Sequence, residues 1–306
     1  MHSTLVIVNS RAAQGRTGRL LSEIREWFRD SADVAETTSS GHAEELAFEA
    51  IRTGTSTIIA AGGDGTIHEV VNGILRSGRQ DVRLGLLPLG SGNDYAAACA
   101  VPRRWQDAGK LLKSAEFKAV DAGEVCDQNG RTRFFVNTLG LGLSGGVAIE
   151  ARSIRRLRGV LKYGLATLKT VSRHLRVLET RLTIDGSTET VKTISLSVAL
   201  GQREGGGFVV APEAAIDDGW FGALHVADVN VLTVLRYLPG LICGIIPKHP
   251  GIRTFRCRTL RIESDLPLII HTDGEMFSRN EDRVCRIEIR LLCNALRVCC
   301  GQRHNA

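Results

Sequence analysis

The stretch Gly62-Gly-Asp-Gly-Thr-Ile-His-Glu-Val-Val-Asn72 decides the fold. It follows an apolar run at residues 56–61, which predicts a buried strand, and it leads into apolar residues at helical spacing. Glycine lacks a Cβ, so the backbone of such a turn approaches a ligand closely, and N–H groups at the start of the helix attract anions. The turn predicts a phosphate-binding loop, although alone it is explained equally well by Asp64 or Thr66 capping the helix.

Two further loops strengthen the phosphate-binding interpretation. Gly90-Ser-Gly-Asn-Asp94 follows an apolar run at residues 83–88, and a polar loop that starts at Asn9 follows another at residues 5–8. This alternation of strand, loop and helix indicates a parallel sheet with right-handed crossovers. Since ligands bind outside the carboxyl ends of such strands, the three loops together predict a nucleotide cradle.

Two familiar glycine motifs do not account for these loops. The chain contains no G-x-x-x-x-G-K-[ST] sequence, which excludes a P-loop. Gly140, Gly142 and Gly145 match the dinucleotide pattern G-x-G-x-x-G, but no acidic residue lies about 20 positions further on. We therefore interpret this second motif as a decoy, that is, a chance match that does not bind a dinucleotide.

The second half of the chain has a different pattern of apolar and polar residues. From about residue 118, short stretches alternate apolar and polar residues between turn residues, which predicts an antiparallel sandwich or barrel. The expected strands cover residues 118–125, 133–138, 179–184, 188–200, 223–229, 259–263, 266–271 and 284–292. Helical inserts are expected near residues 148–176 and 230–243. The sequence thus predicts an α/β domain at residues 1–125 and a β-sandwich domain at residues 126–306.

Charge and cysteine content narrow the class of protein. The formal net charge is +6, but eight Lys and Arg residues and no acid lie between Arg152 and Arg176, so the remainder is slightly acidic. That uneven distribution argues against a protein that coats nucleic acid. Eight cysteines without a C-x-x-C pair, and a start without a signal-peptide pattern, favour a reduced, cytoplasmic protein. The longest apolar segment, residues 231–246, is too short to span a membrane.

With these blocks in order, the sequence resembles the diacylglycerol kinase catalytic-domain family, which includes bacterial lipid kinases and the sphingosine kinases. The similarity covers nearly the whole chain. Its blocks are Ile7-Val-Asn9, Gly62 to Asn72, Leu87-Pro-Leu-Gly-Ser-Gly-Asn-Asp-Tyr-Ala96, Val120-Asp121-Ala-Gly123, Phe135-Val-Asn-Thr-Leu-Gly-Leu-Gly142, Gly205-Gly-Gly207, Pro212, Asp218-Gly219 and His271-Thr-Asp-Gly-Glu275.

The resemblance implies an ATP-dependent kinase that phosphorylates a lipid hydroxyl. It implies a phosphofructokinase-like α/β domain and a β-sandwich domain with the site in the cleft between them, and a last strand that returns to the first domain. ATP is the implied phosphate donor and Mg²⁺ the implied metal ion.

Individual residues inherit expected roles from the positions they match. Positions that contact ATP in the family are Asn9, Ser10, Arg11, Ala12, Ala13, Thr37, Gly62, Gly63, Asp64, Gly65, Thr66, Ile67, His68 and Ser91. Asp94 and Asp121 match an acidic network of carboxylates, water and metal near the lipid head group. Asp218, with the carbonyls of Ala215 and Trp220, matches a structural Mg²⁺ site, for which oxygen ligands are suitable.

The proton acceptor is expected in the segment from His271 to Glu275. Glu275 matches the position usually assigned this role, in which a carboxylate takes the proton of the attacking hydroxyl. Asp273 stays open as the alternative base, and Asp273-Gly274 alone predicts only a hairpin turn. His271 is expected to be structural. Departures from the family pattern, such as Ser10 in place of proline and His68 in place of asparagine, leave nucleotide preference open.

Partners follow from the same resemblance. A membrane lipid is the expected substrate, and the basic segment between Arg152 and Arg176 has an apolar side, which is typical of membrane-surface binding. We therefore expect a cytoplasmic protein at the inner membrane surface, without nucleic acid, and we leave a homodimer open. Two alternatives remain: a kinase of NAD, because NAD kinases also carry a Gly-Gly-Asp-Gly turn, and a non-catalytic lipid-binding or regulatory protein.

Overall fold

The computed structural model describes residues 3–10, 20–114, 116–154, 157, 159–174, 176–205 and 207–302. The chain divides into two compact units. Unit 1 comprises residues 1–121 and 293–306, and unit 2 comprises residues 122–292. The last strand, β18 (Arg286–Cys299), begins in unit 2 and ends in unit 1.

Unit 1 is built on a parallel sheet with the strand order β2-β1-β3-β4. Its strands are β1 (Thr4–Val8), β2 (Asp33–Glu36), β3 (Thr57–Gly62) and β4 (Arg83–Pro88), and the end of β18 pairs in parallel with β4. Its helices are α1 (Leu21–Phe28), α2 (His42–Arg52), α3 (Asp64–Arg76), α4 (Asp94–Ala98) and α5 (Trp105–Ser114).

The parallel sheet brings the polar loops of unit 1 to one edge. Strands β3 and β4 are buried over nearly all of their length, as expected when helices cover both faces of a parallel sheet. The N–H of Leu89 donates to the carbonyl of Gly62, and the N–H of Asn9 donates to that of Ala61. The loops that follow β1, β3 and β4 therefore start side by side.

Unit 2 contains a six-stranded antiparallel sheet with the order β14-β13-β10-β7-β16-β17. These strands are β7 (Thr138–Gly142), β10 (Ser195–Ala199), β13 (Phe221–Val226), β14 (Ile252–Cys257), β16 (Ile270–Thr272) and β17 (Glu275–Ser278). The opposing strands are β5 (Phe117–Asp127), β6 (Thr132–Phe135), β8 (Leu178–Ile184), β9 (Ser187–Thr193), β15 (Thr259–Ser264) and the start of β18. A separate two-stranded ribbon consists of β11 (Arg203–Glu204) and β12 (Phe208–Val209).

One apolar core lies between the two layers of unit 2. Leu139 and Leu196 of the six-stranded sheet belong to the same buried cluster as Ile262 and Ile287 of the opposing strands. Side chains on two facing sheets that share a core define a β-sandwich. The predicted fold class, an α/β domain and an antiparallel β-sandwich with helical inserts, is therefore confirmed.

Within the described residues of unit 2, three helices interrupt the sandwich: α6 (Leu143–Ser153), α7 (Gly159–His174) and α8 (Val231–Ile242). A 3₁₀ turn lies at Asn280–Asp282. Three leucines of α7 are solvent-exposed, namely Leu161, Leu165 and Leu168. None of the helices in the described part of the chain combines the length and the apolar character that crossing a bilayer requires.

Two predicted strands prove to be pairs of strands. The expected strand at residues 188–200 is divided at Ile194, because β9 pairs within one sheet and β10 within the other. The expected strand at residues 133–138 is divided between β6 and β7, where the backbone N–H groups of Val136 and Asn137 donate to a carboxylate. Both breaks mark a crossing of the chain from one layer to the other, which apolar–polar alternation does not reveal.

Candidate functional site

Asp64 joins two of the glycine loops of unit 1. Its carboxylate accepts the N–H of Asn93 at 2.7 Å and the N–H of Tyr95 at 3.3 Å. A carboxylate at the start of α4 also complements the helix dipole. Asp64 thus fixes the second loop against the first, a role that neither helix capping nor contact with ATP includes.

The glycines of the two loops pack backbone against backbone. A Cβ on Gly90 would lie 2.4 Å from the Cα of Gly63, and a Cβ on Gly62 would lie 2.3 Å from the hydroxyl of Thr66. Asn93, at φ 61°, accepts the N–H of Gly90 and donates its amide to the carbonyl of Gly90. Only glycine permits this approach, because a Cβ at Gly90 would collide with the backbone of the neighbouring loop.

The first loop and Thr37 reach the same edge of the sheet. The side-chain amide of Asn9 donates to the hydroxyl of Thr66 at 3.1 Å, and the N–H of Thr37 donates to the carbonyl of Val8 at 2.9 Å. Ser91 is exposed, and Ser10 is partly exposed. The predicted ATP contacts at Arg11, Ala12 and Ala13 lie outside the described residues.

Not every residue of the signature faces the loops. Ile67 and His68 are buried in α3, where the carbonyl of His68 accepts the side-chain amide of Asn72 at 2.8 Å. Glu69, which the sequence interpretation left without a role, accepts the N–H groups of Gly41 and Ala43 at 2.8 and 3.1 Å. Its carboxylate caps the start of α2 and so holds the turn that carries Thr37. The position of Glu69 within the signature was the signal that could have indicated this role.

The two acids expected near the lipid head group both lie in unit 1. Asp94 is the first residue of α4 and is partly exposed. Asp121 is buried, and its carboxylate accepts the N–H of Asn294 at 2.9 Å. Asn294 belongs to the end of β18, so Asp121 ties the returning strand to the unit that carries the loops.

Asp218, the carboxylate expected to hold a structural Mg²⁺, already has partners for both of its oxygens. One oxygen of Asp218 accepts the N–H of Trp220 at 3.1 Å, and the other forms an ion pair with Arg256. Arg258 donates to the carbonyl of Gly219 at 3.1 Å. Two guanidinium groups already supply positive charge at this turn and would repel a cation. In this arrangement Asp218 offers no unengaged oxygen to a Mg²⁺ ion, and the predicted roles of Ala215 and Trp220 rest on the resemblance alone.

Asp273 and Glu275 lie two residues apart at one tight turn of unit 2. The carboxylate of Asp273 accepts the N–H groups of Val136, Asn137 and Thr138 at 3.1, 2.8 and 3.0 Å. Its own backbone has φ 52°. Three backbone hydrogen bonds make Asp273 the anchor of the turn, and Glu275, which is partly exposed, is the first residue of β17.

An apolar cavity lies within unit 2, beside α6 and α8. It has a volume of about 130 Å³ and opens to solvent. Its apolar lining includes Leu143, Val147, Phe208, Val210, Leu224, Val226, Val229, Val234, Leu241 and Ile252, and its polar lining includes Ser144, Ser195, Ser197 and Glu204. Cavities of this kind, apolar with a few convergent polar groups, are typical ligand sites.

The polar lining of the cavity is one hydrogen-bonded cluster around Glu204. Its carboxylate bonds Ser144 Oγ at 2.6 Å, His271 Nε2 at 2.9 Å and Ser197 Oγ at 3.3 Å. Burial alone would raise the pKa of Glu204, but the interactions with His271 and the two serines outweigh it and lower that pKa. Sequence reasoning missed Glu204 and Ser144, because they meet His271 only in the folded sheet.

The decoy glycine motif is explained by packing around this cluster. A Cβ on Gly140 would lie 2.2 Å from Ser144 Oγ, and one on Gly142 or Gly145 would lie 2.3 Å from a backbone carbonyl. The motif forms the β7–α6 connection but serves close contact between α6 and the sheet. No dinucleotide site is needed to account for it.

Comparison with known proteins defines the class. Residues 3–125 match the family model "Diacylglycerol kinase catalytic domain", and residues 137–300 match "YegS C-terminal NAD kinase beta sandwich-like domain". The second match alone covers more than half of the chain. The protein therefore belongs to the diacylglycerol kinase catalytic-domain family, with a second unit of the YegS type.

Named relatives agree with this assignment. A "Probable lipid kinase YegS-like" from Xanthomonas oryzae pv. oryzae is 30% identical over 269 residues, which are 85% of each chain. A "Diacylglycerol kinase" from Mycobacterium tuberculosis is 27% identical over 76% of this chain and 74% of its own. A solved diacylglycerol kinase structure from Bacillus anthracis str. Sterne shares the fold, with a TM-score of 0.72 at 20% identity over 97% and 96% of the two chains.

Proposed function

We propose that the protein transfers the γ-phosphate of ATP to the hydroxyl of a membrane lipid, of the diacylglycerol type or related to it. The observation that carries this proposal is the apolar cavity of unit 2. A nucleotide acceptor such as NAD would require polar and charged partners, whereas this lining is dominated by aliphatic side chains. An acyl chain is the ligand that such a lining matches.

The loops of unit 1 supply the nucleotide side of the reaction. The start of α3, directly after the Gly62-Gly63 turn, favours phosphate oxygens through its backbone N–H groups and its helix dipole. The hydroxyls of Thr66 and Ser91 add hydrogen-bond donors. Mg²⁺ enters with ATP as part of the nucleotide substrate and offsets charge on the phosphoryl groups.

Glu275 acts as the proton acceptor in this proposal. The lipid hydroxyl loses its proton to the Glu275 carboxylate as its oxygen attacks the γ-phosphorus, and the bond to the β-phosphate oxygen breaks. Asp273 holds the turn in place, because its carboxylate is engaged with three backbone N–H groups. The products are a lipid phosphate and ADP.

Helix α7 is the surface that we propose contacts the membrane. Leu161, Leu165 and Leu168 expose 72%, 37% and 49% of their area on this helix, and the sequence around it carries eight Lys and Arg residues without an acid. Exposed leucines together with basic residues suit an anionic lipid surface. Sedimentation with anionic vesicles measures this contact: a Leu161→Asp, Leu168→Asp double variant should bind less, and unchanged binding would remove α7 from the proposal.

The direct test is transfer from ATP radiolabelled at the γ-phosphate to a total bacterial lipid extract, followed by identification of the labelled lipid. Val234→Trp, which fills the cavity from α8, should reduce labelling at least tenfold. Leu232→Trp is the matched control, since Leu232 lies on the same helix and is 77% exposed. Equal labelling by both variants would show that the lipid substrate does not occupy the cavity. Absence of any labelled lipid with the wild-type protein would contradict the proposed function.

A further inference from the structure

Both ring nitrogens of His271 form hydrogen bonds within unit 2. The residue lies on β16 and is only 1% exposed. The N–H of Gly274 donates to its Nδ1 at 3.1 Å, so Nδ1 acts as an acceptor and carries no proton. The ring proton therefore resides on Nε2, which lies 2.9 Å from Glu204 Oε1 and 2.9 Å from Ser144 Oγ.

Glu204 determines this tautomer. An ionised carboxylate can only accept hydrogen bonds, so the Nε2–H of His271 and the hydroxyls of Ser144 and Ser197 all donate toward it. Protonation of Nδ1 in place of Nε2 would set two donors, Nδ1–H and the N–H of Gly274, against each other. It would also leave Glu204 without one of its three donors.

Gly140, which has no side chain, leaves room for the His271 ring. A side chain on Gly140 would place its Cβ 2.4 Å from His271 Nε2. Asp273 and Gly274 both have left-handed backbones, at φ 52° and φ 85°. The turn therefore needs external support, which it receives from the β6–β7 backbone through Asp273 and from the His271 ring through Gly274.

We propose that His271 is a positioning residue for the turn that carries Glu275, and that Glu204 fixes the His271 tautomer on which this positioning depends. The inference rests on the proposed function, in which Glu275 accepts the substrate proton. Because Ser144 and Glu204 also line the apolar cavity, the lipid lies against the same cluster that orients its proton acceptor. Binding of the tail and placement of the base thus share one set of side chains.

Two substitutions test the roles of the two ring nitrogens of His271 independently. Asparagine places an amide oxygen near the position of Nδ1 and can still accept the N–H of Gly274. Glutamine reaches the position of Nε2 and can still donate to Glu204, but it leaves the N–H of Gly274 unsupported. We expect kcat of His271→Asn to exceed that of His271→Gln by at least tenfold, with similar KM for the lipid. His225→Gln is the control, because His225 is also buried in this sheet but bonds Thr193.

A purely structural His271 would give a different pattern. Both variants would then lose thermal stability while keeping equal kcat per folded molecule, and that result would overturn the proposal. Nitrogen NMR of histidine-labelled protein adds a readout that does not depend on catalysis. It should show His271 with its proton on Nε2 in the wild type, and a proton on Nδ1 there would overturn the proposal even if no lipid were phosphorylated. Absence of any lipid product with the Nε2 tautomer intact would contradict the proposed function alone.

Discussion

Asp64 in unit 1 and Asp273 in unit 2 are both acids beside glycine in a tight turn, and both bind backbone N–H groups with their carboxylates. Asp64 connects two loops that follow neighbouring strands of a parallel sheet. Asp273 connects segments more than 130 residues apart, and the next turn residue, Gly274, is held by a buried histidine. The comparison shows that unit 1 builds its site from contiguous blocks, whereas unit 2 assembles its site from dispersed segments.

The largest effect is expected from Glu275→Gln. Loss of the proton acceptor should lower kcat about 10²–10⁴-fold, while the fold is retained because Glu275 is only partly buried. Steady-state kinetics and the melting temperature measure the two outcomes. Glu281→Gln, at an exposed acid of unit 2, is the control. Full activity of Glu275→Gln would remove this residue from the mechanism.

Asp64→Ala should have the next largest effect. Without the carboxylate, the N–H groups of Asn93 and Tyr95 lose their acceptor and the second glycine loop is no longer fixed against the first. We expect at least about a 100-fold lower kcat/KM for ATP, because misplacement of the phosphate-binding backbone weakens transition-state stabilisation. Retention of wild-type kcat/KM would show that the two loops are ordered without Asp64.

The sequence predicted the loops of unit 1 but not the side-chain cluster of unit 2. The loops of unit 1 were predicted from Gly62 to Thr66 and Gly90 to Asp94, because the residues that shape each loop are neighbours in the chain. Glu204 and Ser144 were missed, since they reach His271 only through strand pairing and a helix start. The crossings at Ile194 and Val136 were missed for the same reason: alternation indicates which face a side chain occupies, but not which sheet the strand joins.

Acid should destabilise unit 2 through His225. Burial, with a further contribution from the charge of Arg253, lowers the pKa of His225 to about 4. The unfolded chain, with a His pKa near 6.5, binds the proton more readily, so this contribution to stability is present above pH 6.5 and is lost as the pH falls toward 4. The loss amounts to about 3 kcal/mol.

Denaturant unfolding between pH 7 and pH 4.5 measures this contribution. His225→Gln removes the titrating ring and should flatten the pH dependence relative to the wild type. A variant whose stability falls as steeply with acid as that of the wild type would assign the effect to another group.

The smallest effect concerns the turn at Asp218. Because Arg256 already pairs with this carboxylate, the melting temperature of the wild type should not respond to millimolar Mg²⁺ or to EDTA. Arg256→Gln should cost about 1 kcal/mol or less, since both partners are partly exposed, and should make the melting temperature responsive to Mg²⁺. Arg253→Gln, which breaks the Arg253–Glu189 pair, is the matched control. A wild-type melting temperature that rises with Mg²⁺ would restore the predicted metal site.

A single competition reaction between a lipid and NAD shows which acceptor the protein phosphorylates. The protein is mixed with ATP radiolabelled at the γ-phosphate, vesicles of a total lipid extract and NAD, and the organic and aqueous phases are then separated. We expect label in an organic-phase lipid phosphate with the wild-type protein, and none there with Glu275→Gln. Label in the aqueous phase as phosphorylated NAD, or no transfer to either acceptor, would contradict the proposed function.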